Sequence, residues 1–309
     1  MKVGHVLSIQ DLSGAEIEKV LDLSDKLKKE VKAGKPRELL HGKTLGMIFA
    51  KPSTRTRVSF ETGMTQLGGH ALYLGMNDLQ LGRGETIADT SRTLSRYVDA
   101  VMARLFAHRD IEELAKYSSV PVINGLTNLH HPCQTLADLM TIREKLGKLK
   151  IVDVSWVGDG NNVCNSLMLG CSLVGANFRA ACPKGYGPPE DVVAQAVKNS
   201  KKSGAKIEIL NDPEKAVNGA DVIYTDVWVS MGQEKESEQK MKVFRPYQVN
   251  AGLVKLAKPN VIVMHCLPAH RGLEITDEVI DGPHSVVWDQ AENRMHSQKG
   301  LIVHLLAKK

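Results

Sequence analysis

No stretch of this 309-residue chain approaches the ~20 consecutive apolar residues that a membrane-spanning helix requires. A membrane protein of the helical kind is not expected. Aromatic residues make up only 5% of the chain, too few to suggest platforms for stacking bases. Charge is poorly segregated as well: the net value is +5, and the densest early cations, Lys26, Lys28 and Lys29, alternate with Asp22, Asp25 and Glu30. That pattern reads as a solvated helix face, and no nucleic-acid partner is expected. The five cysteines (Cys133, Cys164, Cys171, Cys182, Cys266) are odd in number and lack a framework spacing. Free thiols in a reducing, cytoplasmic setting are the expectation. The residues from Met1 to Leu7 have no apolar signal core, and no Arg-rich transit segment is visible. There is no Walker loop, which argues against ATP chemistry.

What is present is ordinary in bulk and unusual in detail. Hydrophobic residues account for 42% and charged residues for 24%, the balance of a soluble globular protein. The length suggests two domains. Ser13-Gly-Ala-Glu16 has the form of a capping box before the apolar positions Ile17, Val20, Leu21, Leu27 and Val31. Strands are expected at Thr44–Ala50, Ala71–Leu74, Ala100–Arg104 and Val120–Asn124. Helices are expected at Thr54–Leu67, Thr86–Tyr97, Ile111–Tyr117 and Pro132–Leu146. The Lys-rich segment Lys145–Lys150 marks a boundary, after which strands recur at Ile151–Val157, Asn177–Cys182, Lys206–Leu210, Val222–Thr225, Val261–His265 and Ser285–Trp288. The alternation predicts an α/β fold with a parallel sheet flanked by helices in each half. The polar stretch Gly232–Lys242 has no core-facing stripe and reads either as a lid or as a charged surface helix.

The most informative segment is Lys51-Pro52-Ser53-Thr54-Arg55-Thr56-Arg57, at a strand-to-helix turn. A helix N-terminus offers unpaired N–H groups and a partial positive charge. Arginine adds a planar fork matched to phosphate oxygens. Ser-Thr alone would be an ordinary N-cap, but three hydroxyls with two arginines favour a site for a phosphate or similar dianion.

Ligands of open parallel sheets bind beyond the carboxyl ends of the strands. The polar sets collect there: Arg104, His130–Gln134, Asp159–Asn162, Asp226 with Ser230-Met231-Gly232, His265–Pro268, and Glu292-Asn293-Arg294. Gly158-Asp159-Gly160 hints at a dinucleotide loop. However, Val163 replaces the third glycine, and the next strand ends at Cys182-Pro183 without a ribose-binding acid. His131 with Cys133, and Cys266 with His270, lack the paired spacing of a zinc site, so no metal is expected. Cys266 has no glycine-rich elbow around it, and as a lone thiol it also reads as an inert buried residue.

Taken together, these motifs resemble the aspartate/ornithine carbamoyltransferase family essentially from end to end. The resemblance rests on Ser53-Thr54-Arg55-Thr56-Arg57, His131-Pro132-Cys133-Gln134, Asp226–Gly232 and His265-Cys266-Leu267-Pro268. The last two are of the ornithine type, with Cys-Leu-Pro-Ala where an aspartate-specific loop would carry Pro-Leu-Pro-Arg. The resemblance implies a carbamoyl-phosphate domain at 1–147, an ornithine domain at 148–289, and a C-terminal helix at 290–309 that packs back on the first domain. It implies transfer of the carbamoyl group from carbamoyl phosphate to the δ-amine of L-ornithine, without a covalent enzyme intermediate, cofactor or metal. It also implies a homotrimer or an assembly of trimers. Carbamoyl phosphate would be held by Ser53, Thr54, Arg55, Thr56, Arg104, His131, Gln134, the Leu267 carbonyl and Arg294. Gln80 would serve its own or a neighbouring subunit's site. Ornithine would be held by Asn162, Asp226, Ser230, Met231 and Cys266. Arg104, His131, Asp226 and Cys266 would carry the chemistry. Two rivals remain at this stage: a sibling acting on putrescine or an acetylated ornithine, and a non-catalytic sensor.

Overall fold

The computed structural model describes residues 4–229 and 237–306. Its nine strands are β1 (Thr44–Phe49), β2 (His70–Gly75), β3 (Ala100–Arg104), β4 (Val122–Leu126), β5 (Asp153–Val157), β6 (Asn177–Ala181), β7 (Ile207–Leu210), β8 (Val222–Thr225) and β9 (Ile262–His265). The helices are α1 (Gly14–Lys32), α2 (Thr54–Gln66), α3 (Ile87–Leu94), α4 (His108–Tyr117), α5 (Pro132–Leu146), α6 (Asn162–Val174), α7 (Glu190–Ser203), α8 (Pro213–Val217), α9 (Ser237–Phe244), α10 (Ala251–Val254), α11 (Asp277–Ile280) and α12 (Val287–Leu306).

The chain divides into two compact units, one of residues 1–140 and 292–309, the other of residues 141–291. Both passages between units run inside helices, α5 and α12. The first unit contains a parallel sheet in the order β2-β1-β3-β4. Its buried strands are the continuous apolar runs that a sheet covered on both faces demands. Ile48, Val101, Ala103, Ile111, Leu114 and Val122 share one core cluster. The second unit contains the order β7-β6-β5-β8-β9, also parallel. Its core joins Val157, Ala181, Ile223, Val263, Ile275 and Val287. Both sheets reverse direction of winding next to their first strand, between β1 and β3 and between β5 and β8. At such switch points the flanking loops part and leave a crevice at the strand carboxyl ends.

The capping box forms as expected: Ser13 Oγ accepts from Glu16 N–H, and Glu16 Oε2 accepts from Ser13 N–H. From Glu292 onward α12 packs in the first unit against α1. A Cβ at Gly300 would collide with Ser24 Oγ and the Val20 carbonyl, so only glycine permits that approach. Lys28 reaches across to Asn293 Oδ1 at 2.8 Å.

One expected strand does not form. Ser285 makes only an isolated bridge to Val263, and α12 begins at Val287, three residues before the expected helix start at Gln290. The apolar run Val286-Val287-Trp288 suggested a strand, yet Val287 is buried while Trp288 is exposed, and both lie in the first helical turn. Val286 N–H donates to the Val263 carbonyl, after which the backbone turns into the helix.

Candidate active site

In the first unit the switch-point loops belong to β1 and β3. Ser53 is the N-cap of α2, and its Oγ accepts from Thr56 N–H at 3.2 Å. The first N–H groups of a helix have no intrahelical acceptor, so those of Thr54 and Arg55 point beyond the strand end. Arg55 is half-buried, and Thr56 is fully buried. Arg57 turns elsewhere: it pairs with Glu61 at 3.0 Å and lies over the Tyr73 ring. The motif therefore separates a half-buried Arg55 from an Arg57 committed to Glu61 and Tyr73.

Arg104 ends β3 and is buried. His131 immediately precedes α5, and Gln134 lies in its first turn. Arg294, from α12, donates to Gln134 Oε1 at 2.7 Å and to Thr56 Oγ1 at 3.3 Å. Gln134 Nε2 donates in turn to Asp138 Oδ1 at 2.8 Å. Burial pushes His131 well below the usual imidazole range, and the charges of Arg294 and Arg104 push it the same way. The ring is neutral at physiological pH and can donate from one nitrogen. Gln80 begins a short 3-10 turn, Gln80–Arg83, and is exposed. No hydrogen bond joins it to this group of residues.

Lys51, the first residue of the motif, is buried. Its Nζ donates to Asn128 Oδ1 at 2.8 Å and lies over the Phe106 ring. Burial lowers its pKa first, and the Arg104 charge lowers it further. Its signal was already legible as a lysine directly after an apolar strand. The Lys51 ammonium thus adds to the positive field of Arg104.

In the second unit the loops belong to β5, β8 and β9. Asn162 opens α6. Asn161, its N-cap, accepts from Val163 and Cys164 N–H and donates to Asp226 Oδ2 at 2.8 Å. The side chain thereby occupies the helix terminus that a dinucleotide phosphate would need. Gly160 serves packing: a Cβ there would collide with the backbone of Gly187 and Pro188. Cys266 Sγ donates to the other carboxylate oxygen of Asp226 at 3.0 Å. Leu267 has φ +59°, and its N–H donates to His265 Nδ1 at 2.9 Å. The set therefore presents a carboxylate, a thiol and a strained carbonyl-bearing residue in one place. Asn161 stands in the Asp159–Asn162 polar set without a role of its own; its place one residue before a helix was the signal of a cap. Ser230 and Met231 lie outside the described residues, as does 232–236 of the polar stretch. Residues 237–242 of that stretch fall in α9, whose Lys240 is buried and bonds Asp159 at 2.6 Å. Burial raises the pKa of Asp159, Lys240 opposes the rise, and the Asp226 charge adds to it.

Asp226, His265 and Cys266 offer ligand atoms within 4.8 Å of one another. Both ring nitrogens of His265 are engaged, however, one by Leu267 N–H and the other by Glu274 at 3.1 Å. That commitment leaves two donors where a zinc site needs at least three protein ligands. The other four cysteines are buried; burial pushes the Cys133 thiol up to about 12, where it is inert.

Fold and side chains define a two-unit α/β protein, one unit carrying buried arginines around a neutral imidazole and the other a carboxylate–thiol pair. Residues 4–144 match the carbamoyl-P binding domain of aspartate/ornithine carbamoyltransferase, and residues 150–305 match its Asp/Orn binding domain. The chain belongs to the aspartate/ornithine carbamoyltransferase family. It is 60% identical to the ornithine carbamoyltransferase of Pyrococcus abyssi over 306 residues, covering 99% of this chain and 96% of that one. It is 61% identical over 297 residues to the anabolic ornithine carbamoyltransferase of Pyrococcus furiosus, covering 96% and 94%. The solved P. furiosus ornithine carbamoyltransferase superposes with a TM-score of 0.97 at 59% identity, covering 99% and 98% of the two chains. An anabolic ornithine carbamoyltransferase from Campylobacter jejuni gives 0.94 at 42% identity and full coverage of both.

Proposed function

We propose that this chain transfers the carbamoyl group of carbamoyl phosphate to the δ-amine of L-ornithine, giving L-citrulline and phosphate in arginine biosynthesis. The observation that carries the reading is the buried set in the first unit: Arg104, neutral His131, and Arg294 bonded to Gln134 and Thr56. Such a set serves a dianionic electrophile and the oxyanion that forms from it.

The phosphate is taken by Ser53, Thr54, Arg55 and Thr56 at the α2 terminus. Arg104 bridges phosphate and carbonyl oxygen. His131 donates to the carbonyl oxygen, and Gln134 with the Leu267 carbonyl holds the carbamoyl NH2. Asn162, with Met231, takes the α-carboxylate of ornithine; Asp226 and Ser230 take its α-ammonium. Cys266 adjoins the δ-amine, which a desolvated pocket releases in neutral form. Nitrogen attacks the carbamoyl carbon, the C–N bond forms, and negative charge develops on the oxygen held by His131 and Arg104. The carbon–oxygen bond to phosphate then breaks, and the amine proton passes to the departing phosphate. Positioning and charge stabilisation supply the catalysis, and no covalent enzyme intermediate is required. The first unit is the carbamoyl-phosphate domain and the second the ornithine domain.

A homotrimer, or an assembly of trimers, is part of the same reading. Its support is the outer edge of β2, which pairs on one side only among the described residues: Leu72 and Tyr73 are exposed, and Val58 of α2 is 52% exposed. Gln80, on its exposed turn, would serve its own or a neighbouring site. A cytoplasmic location is supported by five free cysteines, four of them buried. No helix among the described residues is long and apolar enough to cross a membrane.

The test is citrulline formation from carbamoyl phosphate with ornithine, putrescine, N-acetylornithine and aspartate as acceptors. Turnover with ornithine alone is expected. Turnover with another amine, or binding of carbamoyl phosphate without turnover, would overturn the assignment. Light scattering of the purified protein at three times the chain mass is expected, and a monomer would contradict the trimer.

A further inference from the structure

His265 and Glu274 are both fully buried and stand outside the residues assigned above. His265 Nε2 lies 3.1 Å from Glu274 Oε1, and its Nδ1 accepts from Leu267 N–H at 2.9 Å. A nitrogen that accepts carries no proton, so the proton of a neutral ring is on Nε2 and is donated to the carboxylate. The backbone of His265 is fixed as well: its N–H donates to Gln290 Oε1 at 3.0 Å, and Gln290 Nε2 donates to Tyr224 Oη at 2.8 Å. The Glu274 main chain is tied by its carbonyl to Val249 N–H at 2.8 Å. Leu267, at the far end of this chain of bonds, has a left-handed φ of +59° that a leucine rarely adopts. An acceptor fixed beneath its N–H is what holds that conformation.

The geometry points to Glu274 as a positioning residue that sets the His265 tautomer and, through it, presents the Leu267 carbonyl to the carbamoyl group. This inference rests on the reading of Leu267 given above. Without an acceptor at Nε2 the ring is free to carry its proton on Nδ1. That proton would face the Leu267 N–H, two donors would oppose each other, and the peptide would rotate away. A carboxylate beside a histidine nitrogen is the usual way to impose one tautomer.

The test uses the full-length protein and the variants Glu274→Leu and Glu274→Gln. In Glu274→Leu the KM for carbamoyl phosphate should rise about tenfold, as expected for one misplaced hydrogen bond, and kcat should fall. Affinity for inorganic phosphate, measured by calorimetry, should stay unchanged, because phosphate is held in the other unit. Glu274→Gln keeps an oxygen acceptor and should recover the KM to within about threefold of the wild type. A parallel loss of inorganic phosphate affinity would mark Glu274 as merely structural and overturn the inference. So would an unaltered KM in folded Glu274→Leu. Should Glu274→Leu fail to fold, ¹⁵N-histidine spectra of the wild type decide: a proton on Nδ1 of His265 refutes the proposal, and one on Nε2 supports it. The Leu267 reading is tested separately by the ¹³C shift of its carbonyl on adding carbamoyl phosphate. An unmoved shift refutes that reading; a moved shift with an unaltered KM refutes only the role of Glu274.

Discussion

Replacing Arg294 by methionine is expected to weaken carbamoyl-phosphate binding strongly while leaving the protein folded. Arg294 is 3% exposed, so its guanidinium works without screening by bulk water. It makes one short bond to Gln134 at 2.7 Å and one long bond to Thr56 at 3.3 Å. A charge-assisted hydrogen bond contributes about 1.5–3 kcal/mol, and the short one dominates. Methionine fills the volume but donates nothing, so the Gln134 side-chain oxygen loses the donor that fixes it. Affinity should fall about 10- to 150-fold, the equivalent of that energy. A second effect follows from the same charge: the Arg294 cation is one of the causes holding His131 low, so the ring moves back toward its ordinary value in the variant. Burial is the larger cause and stays, so the imidazole remains below its ordinary value. The assay is calorimetry with phosphonoacetamide as an unreactive analogue, with urea unfolding as the control for stability. A folded variant whose analogue affinity lies within about twofold of the wild type would refute the reasoning.

Asp226→Asn removes the charge that accepts from Asn161 and Cys266, so the kcat/KM for ornithine should fall at least about 100-fold, equal to about 2.7 kcal/mol. Carbamoyl-phosphate affinity should be unchanged, and equal loss for both substrates would contradict the separation of roles. His296 is 1% exposed, and burial holds its pKa near 4 instead of 6.5, with Lys299 and Lys28 opposing its charge and Glu292 supporting it. The unfolded chain therefore takes a proton that the folded chain refuses, and stability falls as pH drops from about 6.5 toward 4, by about 3 kcal/mol in all. His296→Gln should flatten that acid limb in urea titrations at stepped pH; an unchanged slope would refute the assignment. Gly160→Ala places a Cβ against the backbone of Gly187 and Pro188 and should cost about 1–3 kcal/mol. Scanning calorimetry reads it as a lowered Tm, and an unaltered Tm would show that the loop gives way freely.

The sequence by itself determined the alternation of strand and helix, because apolar period and capping chemistry are local. Ser13 and Glu16 cap α1, and the run from Thr44 to Phe49 is a strand, as their spacing dictates. The Ser53–Arg57 motif and the polar residues at strand ends stood out for the same reason: residue types unusual for packing sat at the carboxyl edge of a parallel sheet. Ser285–Trp288 misled because a short apolar run has no period long enough to separate a strand from the first turn of a buried helix.

Tertiary structure decided which of these residues act together. Arg294 meets Gln134 and Thr56 only because α12 returns to the first unit, and nothing at position 294 alone specifies that partner. Arg55 and Arg57, two residues apart, fall on different faces of α2, and only Arg57 lies over Tyr73. Asn161 reaches Asp226, 65 residues on, because the cap of α6 fixes its side chain at the strand end. The tie from Glu274 through His265 to Leu267 depends on a ring tautomer, and a tautomer is set by neighbours that only the fold brings within hydrogen-bond distance. Local pattern sets the elements; long-range burial and charge set the chemistry, because both depend on atoms that the chain order keeps far apart.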